Sequence, residues 1–350
     1  MSGFTGSAPG KLVVSGEYAV LEGVPALVQA VNRRANARFI PDGGGELRLS
    51  AKPLGIHASP IVGGGRVLET ALTDPKCRLA ALVLHALHRD FGLRLEECGG
   101  DLHVDSSDMS LAHGEAKLGV GSSAAVAVTL VAGFGASLAA EPFSKETIFK
   151  VADDAHREFQ AGRGSGIDIA AATYGGCLRF HRPLDRPAAI ESVSWPDAWQ
   201  WIVVGTGKSA STSDFLQCLS ELKEASSSVY HARMQTLKGL GERVIQEPGL
   251  NWIDWSLEWC SALAALGDAI GAEIMSDEHN LHLSVARRLG FGYKPSGAGG
   301  GDAGFFLVPV SKPLDEILPL LRDEGVHILG LQAEGQGVHV ERLEHPSLGG

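Results

Sequence analysis

Two glycines and two serines at residues 119–123 form the segment of this sequence with the clearest chemical potential. Gly119 and Gly121 precede Ser122 and Ser123, and a run of small apolar residues follows. The first N–H groups of a helix have no partner within the helix and attract anions, and glycine lets the backbone close around such an anion. The pattern indicates a phosphate cradle whose hydroxyls can reach phosphate or a divalent cation. A serine-capped buried helix is the alternative interpretation.

A second glycine-rich segment follows Lys294 near the carboxyl end of the sequence. Four of the five positions from Gly297 to Gly301 are glycine, and Asp302 comes next. Because such a loop has almost no side chains, its backbone can lie against a ligand, with Asp302 orienting the loop. A long hairpin turn would explain the same residues without a ligand.

Asp168 is the candidate acidic residue. It stands between the turn Gly164–Gly166 and an apolar run of small residues, where a carboxylate is poorly solvated and needs a cation. Lys11, at the start of the first predicted strand, is the cation that we expect beside it. An aspartate that caps a helix is the competing interpretation.

Alternating and helical hydrophobic patterns predict the elements that position these residues. Alternation predicts antiparallel strands over 11–40, and the uncharged run 118–140 predicts a buried helix, because its many Gly and Ala residues do not suit a membrane span. Further helices are predicted over 75–91, 144–159, 213–246, 251–272 and 280–289, with strands at 199–205, 304–310, 326–332 and 337–343.

Length, charge and cysteine content limit the class of protein. A chain of 350 residues predicts two domains, which we place at 1–190 and 191–350. The net charge of −11 without a basic run argues against nucleic acid and anionic membranes as partners. The five cysteines form no C-x-x-C pair, which favours a reducing cytoplasm over a disulfide framework. His85 and His88 have no further ligands at suitable spacing, so we expect a surface helix face there.

Taken together, three segments resemble the motifs of the GHMP kinases. A-P-G-K stands at Ala8–Lys11, G-V-G-S-S-A-A at Gly119–Ala125 with Val120 in place of the usual leucine, and G-A-G-G-G at Gly297–Gly301, in the family order. The resemblance spans nearly the whole chain. It implies an α+β, two-domain GHMP kinase fold, with an N-terminal domain like the second domain of ribosomal protein S5 and a ferredoxin-like C-terminal domain.

Details of the sequence look most like the phosphomevalonate kinase branch. G-S-G-I-D at 164–168, G-K-S-A-S-T-S-D at 207–214 and the aspartate after the last glycine loop are similar to that branch. Mevalonate kinases usually have histidine in place of Tyr18. The resemblance implies ATP with Mg²⁺, 5-phosphomevalonate as the acceptor, and a monomer or homodimer.

The resemblance also implies a role for each motif residue. Lys11 and Asp168 are expected at the point of transfer, and Ser122 or Ser123 at the Mg²⁺ ion. Because a phosphate monoester is already ionised near neutral pH, Asp168 should hold Lys11 and the acceptor in place and act as a base only toward an alcohol. The ATP phosphates are expected on Gly119, Val120, Gly121, Ser122, Ser123, Ala124 and Ala125. One cation and several hydroxyls suit a phosphate or a carboxylate, so the acceptor is expected on Lys208, Ser211, Thr212 and Ser213, with a helix cap at Ser211–Ser213 as the alternative interpretation. The acceptor is also expected on Ser296, Gly297, Ala298, Gly299, Gly300 and Asp302.

Other functions stay open on the sequence alone. A kinase of mevalonate or of a phosphorylated sugar would carry the same motifs, and so would a decarboxylase of the same superfamily. A nucleotide-binding regulator without catalysis is a further alternative, because a fold does not fix a function. No carboxylate ligand of Mg²⁺ is identified, since Glu158 is offset from the position that mevalonate kinases use.

Overall fold

The computed structural model describes residues 1–110, 118–138, 141–183, 186–210, 212–247 and 249–343. The strands are β1 (Phe4–Ser15), β2 (Ala26–Pro41), β3 (Leu47–Lys52), β4 (Ile56–Gly63), β5 (Arg66–Val67), β6 (Gly100–Asp105), β7 (Cys177–His181), β8 (Ala189–Val193), β9 (Trp199–Gly205), β10 (Gly292–Pro295), β11 (Ala303–Pro309), β12 (His327–Ile328) and β13 (His339–Arg342). The helices are α1 (Glu69–Thr73), α2 (Arg78–Phe91), α3 (Ser122–Leu138), α4 (Lys145–Phe159), α5 (Ile167–Tyr174), α6 (Thr212–Ala225), α7 (Ser227–Gln246), α8 (Trp252–Ile270), α9 (Asp277–Leu289) and α10 (Leu314–Asp323).

The first sheet surrounds β1, the strand that carries Lys11. Its order is β13-β1-β2-β6-β3-β4-β5, and β7 and β8 extend from β2. β3 and β6 pair in parallel, whereas β1 pairs antiparallel with both β2 and β13. The predicted antiparallel strands at the start of the chain are thus confirmed, and β1 has a neighbour on each side.

The uncharged run predicted as a buried helix forms α3, in which twelve residues are buried. α3 packs on β1, β2 and β13 and contacts α2, α4 and α5. A helix enclosed in this way needs no polar face, which explains its composition. Among the described residues, no helix is long and apolar enough to cross a membrane.

Helix boundaries follow local signals except in one place. α2 ends at Gly92 in the left-handed conformation, and α4 begins at Ser144, whose side chain accepts a hydrogen bond from the Thr147 N–H. The helical pattern predicted over 213–246 is confirmed as two helices, α6 and α7, because the chain turns at Ser226. The hydrophobic pattern runs through this turn, so periodicity alone does not reveal it.

The second sheet has the order β10-β11-β9-β12. Helices connect β9 to β10 and β11 to β12, and β10 and β11 are consecutive in the chain. This β-α-β-β-α-β sequence is the ferredoxin-like arrangement. α8 and α9 pack on β10, the strand that leads into the glycine loop.

The assignment of strands to the two sheets does not follow the predicted domain boundary. The division after residue 190 falls within β8, which belongs to the first sheet, and β13 returns from the carboxyl end of the chain to pair with β1. The division into 1–190 and 191–350 stays a prediction. Grouping by sheet would move it beyond Val193 and assign 339–342 to the first unit.

A buried ion pair joins the end of β1 to β10. Lys294 Nζ donates to Glu17 Oε1 at 2.5 Å and to the Pro295 carbonyl at 2.7 Å, and both side chains are at most 2% exposed. Burial lowers the pKa of Lys294, and the Glu17 charge opposes that shift. The second oxygen of Glu17 is also buried and has no hydrogen-bond partner among the described residues.

Two buried histidines support the glycine loop from α9. His279 Nε2 contacts the Gly301 carbonyl at 3.1 Å, and Nδ1 contacts the Tyr293 hydroxyl at 2.7 Å. A carbonyl can only accept, so Nε2 carries the hydrogen and Nδ1 accepts from Tyr293. His282 Nδ1, 3.1 Å from the same hydroxyl, then donates to it. Burial lowers the pKa of each histidine to about 4, which keeps this network neutral.

We expect Lys294→Met to lower the free energy of unfolding by about 3–5 kcal/mol, because it leaves the Glu17 carboxylate buried without its cation. Combining it with Glu17→Gln should recover much of that loss, since both charges are then removed. Denaturant unfolding at one pH measures both effects. Lys238→Met removes an exposed ion pair with Glu242 and should cost less than about 1 kcal/mol. An equally small cost for Lys294→Met would contradict the role of the buried pair.

His279 and His282 should make the fold lose stability as pH falls from 6.5 to about 4. The pKa of both is lowered from 6.5 to about 4 in the fold, so within this window the unfolded chain binds protons that the folded chain does not. Each histidine contributes a slope of about 1.4 kcal/mol per pH unit. The free energy of unfolding, measured at a series of pH values, should depend less steeply on pH in His282→Asn, by the contribution of about one proton. The exposed substitution His57→Asn is the control, and an unchanged slope in His282→Asn refutes the assignment.

Candidate active site

The phosphate-cradle segment lies directly against β1. The Lys11 N–H donates to the Val120 carbonyl at 2.8 Å, and Lys11 Nζ donates to the Gly119 carbonyl at 2.8 Å. A Cβ added to Gly10 would lie 2.7 Å from the Val120 oxygen. The glycine before Lys11 is therefore required by this approach, and the strand fixes the lysine beside the loop.

Gly119 and Gly121 adopt left-handed conformations, with φ of +70° and +80°. They turn the chain into the N-terminus of α3, a helix of 17 residues, whose first N–H groups face an anion without competition from side chains. Ser122 and Ser123 are the first two helical residues. This geometry fits the phosphates of a nucleotide, as the sequence predicts.

Asp168 lies next to Lys11. A Cβ added to Gly121 would lie 3.3 Å from Lys11 Cγ and 3.5 Å from Asp168 Cβ, so the two side chains flank the same glycine. Burial lowers the pKa of Lys11, and the charges of Asp168, Asp302 and Glu17 oppose that shift. Asp168 stands in the first turn of α5 and is half-buried. The fold thus places the predicted lysine and aspartate side by side.

The carboxyl-terminal glycine loop closes the site from the other side. A Cβ added to Gly297 would lie 3.7 Å from Lys11 Nζ, and one added to Gly119 would lie 2.3 Å from Asp302 Cβ. Asp302 has a φ of +58°, an unusual value for a residue with a side chain. Its Oδ1 accepts from the Ala210 N–H at 3.3 Å. Asp302 therefore orients the loop and packs it onto the phosphate cradle.

Several residues predicted to bind the acceptor make hydrogen bonds that hold the loop. Ser296 Oγ accepts from the Val13 N–H at 2.8 Å, the Ala298 carbonyl accepts from the Tyr18 hydroxyl at 2.5 Å, and the Gly300 N–H donates to the Ile274 carbonyl at 2.7 Å. An added Cβ at Gly299 would also meet the Ile274 oxygen, at 2.5 Å. Their use in acceptor binding stays a prediction.

The second predicted acceptor segment lies at the start of α6. Lys208 forms an ion pair with Glu278 on α9 and is 62% exposed. Thr212 and Ser213 are the exposed first residues of α6, and Ser211 lies outside the described residues. In this arrangement the Lys208 charge is already matched by a carboxylate.

Several residues at the site lie outside the three sequence motifs and were not predicted. Ser123 Oγ lies 3.0 Å from His156 Nε2, and His156 is buried on α4. The signal for His156 is its place four residues after Ala152 on the apolar face of α4. Glu17 and Lys294 are signalled only weakly, as charged residues within apolar strand segments.

The residues present fit ATP carrying a Mg²⁺ ion. The glycine cradle and the N-terminus of α3 suit phosphates, and the hydroxyls of Ser122 and Ser123 offer oxygen atoms at the same place. Among the described residues no three His, Cys, Asp or Glu side chains form a metal-ligating group. Mg²⁺ commonly keeps waters and substrate phosphates as ligands, so it needs few protein donors here.

Comparisons with known proteins agree with this geometry. Residues 78–176 match the family model of the GHMP kinases N terminal domain. A mevalonate kinase of Aeropyrum pernix is 29% identical over 233 residues, which are 65% of this chain and 65% of that protein. A phosphomevalonate kinase of Streptomyces sp. is 28% identical over 344 residues, or 88% of this chain and 90% of that one. Other curated relatives, at 25–27% identity, are mevalonate kinases.

A solved structure gives the same fold. The phosphomevalonate kinase of Streptococcus pneumoniae, in complex with phosphomevalonate and AMPPNP, has a TM-score of 0.73 at 19% identity, covering 97% of this chain and 99% of that one. At this identity the likeness establishes the fold alone. In its three motifs assembled at one point, in residues 78–176 and in its two-domain α+β fold, the chain is similar to the GHMP kinases.

Proposed function

We propose that this protein is a phosphomevalonate kinase, which transfers the γ-phosphoryl group of ATP to 5-phosphomevalonate and gives mevalonate 5-diphosphate and ADP in the mevalonate pathway of isoprenoid synthesis. The observation that carries the proposal is the meeting of Lys11, Asp168 and Gly297 at the phosphate cradle. The choice of acceptor is supported by the G-S-G-I-D segment at 164–168 and by Asp302 after the glycine loop. A reducing cytoplasm is the compartment that suits the free cysteines.

Transfer in this site depends on charge and position. Phosphoryl transfer is catalysed mainly by holding the donor and acceptor in line and by stabilising charge on the transferred group. Lys11, fixed between the Gly119 carbonyl and Asp168, supplies a cation at that point. The N–H groups at the start of α3 would hold the donor phosphates, and Ser122 or Ser123 would hold the metal. Mg²⁺, when bound with ATP, neutralises phosphate charge.

Asp168 orients Lys11 and the acceptor in this mechanism. A phosphate acceptor is already ionised near neutral pH, because its second pKa is about 6. No proton has to be removed, so Asp168 contributes through position and charge. Its place in the first turn of α5 gives the carboxylate a fixed direction.

A mevalonate kinase is the second candidate function. Most of the curated relatives described above carry that name, and the same Lys11 and Asp168 would serve an alcohol acceptor. In that case Asp168 has to accept the hydroxyl proton. The two functions therefore differ in the pH dependence that Asp168 causes.

The acceptor is tested by incubating the purified protein with Mg-ATP and, separately, 5-phosphomevalonate, mevalonate, mevalonate diphosphate and a panel of sugars. We expect ADP release only with 5-phosphomevalonate, and a product heavier by one phosphoryl group. Turnover of mevalonate alone would replace the proposal by the second candidate. Release of CO₂ from mevalonate diphosphate would identify a decarboxylase, and ATP binding without turnover of any acceptor would identify a regulator.

Asp168→Asn should lower kcat by about 10²–10³-fold, because the substitution removes the charge that orients Lys11. With a phosphate acceptor, the shape of the kcat-against-pH profile should stay as it is in the parent enzyme. Loss of the pH limb that reports an essential base would indicate an alcohol acceptor. Asp154→Asn, an exposed change on α4, is the matched control and should leave kcat and the profile unchanged.

A further inference from the structure

A cavity of about 410 Å³ opens beside the turn that leads to Asp168. Its size is typical of small-molecule sites. Its lining includes residues 162–165 and Val20–Glu22, together with Leu216, Leu219, Ser220 and Lys223 of α6. Ser165 stands three residues before Asp168 in the chain. The cavity is therefore a candidate site for the part of an acceptor that lies away from Asp168.

The cavity concentrates positive charge in a protein whose net charge is −11. Four cationic side chains line it, those of Arg157, Arg163, Arg182 and Lys223, against one lining carboxylate, Glu22. Two of the cations are already matched. Arg182 pairs with Asp153 at 2.7 Å, and Lys223 pairs with Glu22 at 2.9 Å.

Arg157 and Arg163, the other two cations of the lining, form no ion pair of this kind. In the described residues neither has a carboxylate within ion-pair distance, although Arg157 contributes to the electrostatic environment of Asp153. Arg163 donates to the Gln217 side-chain oxygen at 2.7 Å, which joins the 162–165 turn to α6. A guanidinium that lines a cavity and has no carboxylate within ion-pair distance suits a planar anion, which it binds through two parallel hydrogen bonds.

We propose that Arg157 and Arg163 bind the carboxylate of the acceptor, at the end opposite to the group that receives the phosphoryl. This assignment rests on the proposed function, because it takes the acceptor from it. The reacting phosphate has to lie with Lys11 and the phosphate cradle, so the second anionic group of 5-phosphomevalonate is the one left for the cavity. Val20, Leu21, Leu216 and Leu219 also line the cavity, and they suit the methyl-bearing carbon chain.

The carboxylate is common to 5-phosphomevalonate and mevalonate, and sugars lack it. The two arginines therefore separate mevalonate-type acceptors from sugar acceptors and do not distinguish the two mevalonate-type acceptors from each other. The acceptor loop predicted at Lys208, Thr212 and Ser213 contributes no lining residue to this cavity.

The test is steady-state kinetics of Arg157→Gln, Arg163→Gln and the double variant. We expect the acceptor KM to rise about 10-fold in each single variant and about 100-fold in the double variant, with the ATP KM and kcat within about twofold of the parent. Arg233→Gln, an exposed change on α7 outside the cavity lining, is the matched control. Thermal unfolding of each variant shows whether the fold is intact.

An acceptor analogue identifies the group that is bound. We expect the parent enzyme to lose about 100-fold in kcat/KM when the acceptor carboxylate is replaced by a carboxamide, and the double variant to treat the two compounds nearly alike. If the double variant still prefers the carboxylate as strongly as the parent does, the proposal is overturned. The proposal is also overturned if the acceptor KM of the double variant equals that of the parent.

Failure of the proposed function gives a different pattern. If the parent enzyme phosphorylates mevalonate and leaves 5-phosphomevalonate unchanged, the same comparison is made with mevalonate and its carboxamide. Loss of the preference for the carboxylate in the double variant then supports the role of the arginines, and an unchanged preference overturns it. If neither compound is phosphorylated, calorimetric titration of the parent and the double variant with both acceptors decides. Binding that the double variant loses supports the proposal, and absence of binding to the parent overturns it.

Discussion

The buried ion pair between Glu17 and Lys294 is the constraint on which the site depends. Glu17 follows β1, the strand that presents Lys11, and Lys294 lies in β10, just before the glycine loop. Two charges removed from water cost several kcal/mol each unless they meet in good geometry. The first strand and the glycine loop must therefore come together in one register, and with them the lysine and the backbone that face the transferred group.

Close backbone contacts transmit this register to the rest of the site. Gly10 permits the approach of β1 to Val120, and Gly119 permits the approach of Asp302. Each contact joins two of the three motifs, so a side chain at either glycine would separate segments far apart in sequence. Gly10 and Gly119 thus help to bring three backbone segments around one point.

The proposed function uses two regions of the fold. The cradle, Lys11 and Asp168 form the centre at which the three motifs meet. The cavity beside residues 162–165 has its own charge pattern, with four cationic side chains and one carboxylate in its lining. Under the proposed function the transfer takes place at the centre, and the cavity binds the carboxylate that the mevalonate-type acceptors share.

The sequence by itself determined the motifs, the α+β class and most helices, because these depend on local signals. Gly92 ends α2, Ser144 begins α4, and the uncharged composition of α3 requires burial. Asp168 and Lys11 were predicted as partners because a poorly solvated carboxylate needs a cation. The break at Ser226 and the return of β13 to the first sheet were not predictable, since hydrophobic periodicity carries no information on which strands meet. Only the tertiary structure decided the pairing of Glu17 with Lys294, the contact of Ser123 with His156 and the cationic cavity, because each joins residues whose separation in the chain leaves no local pattern.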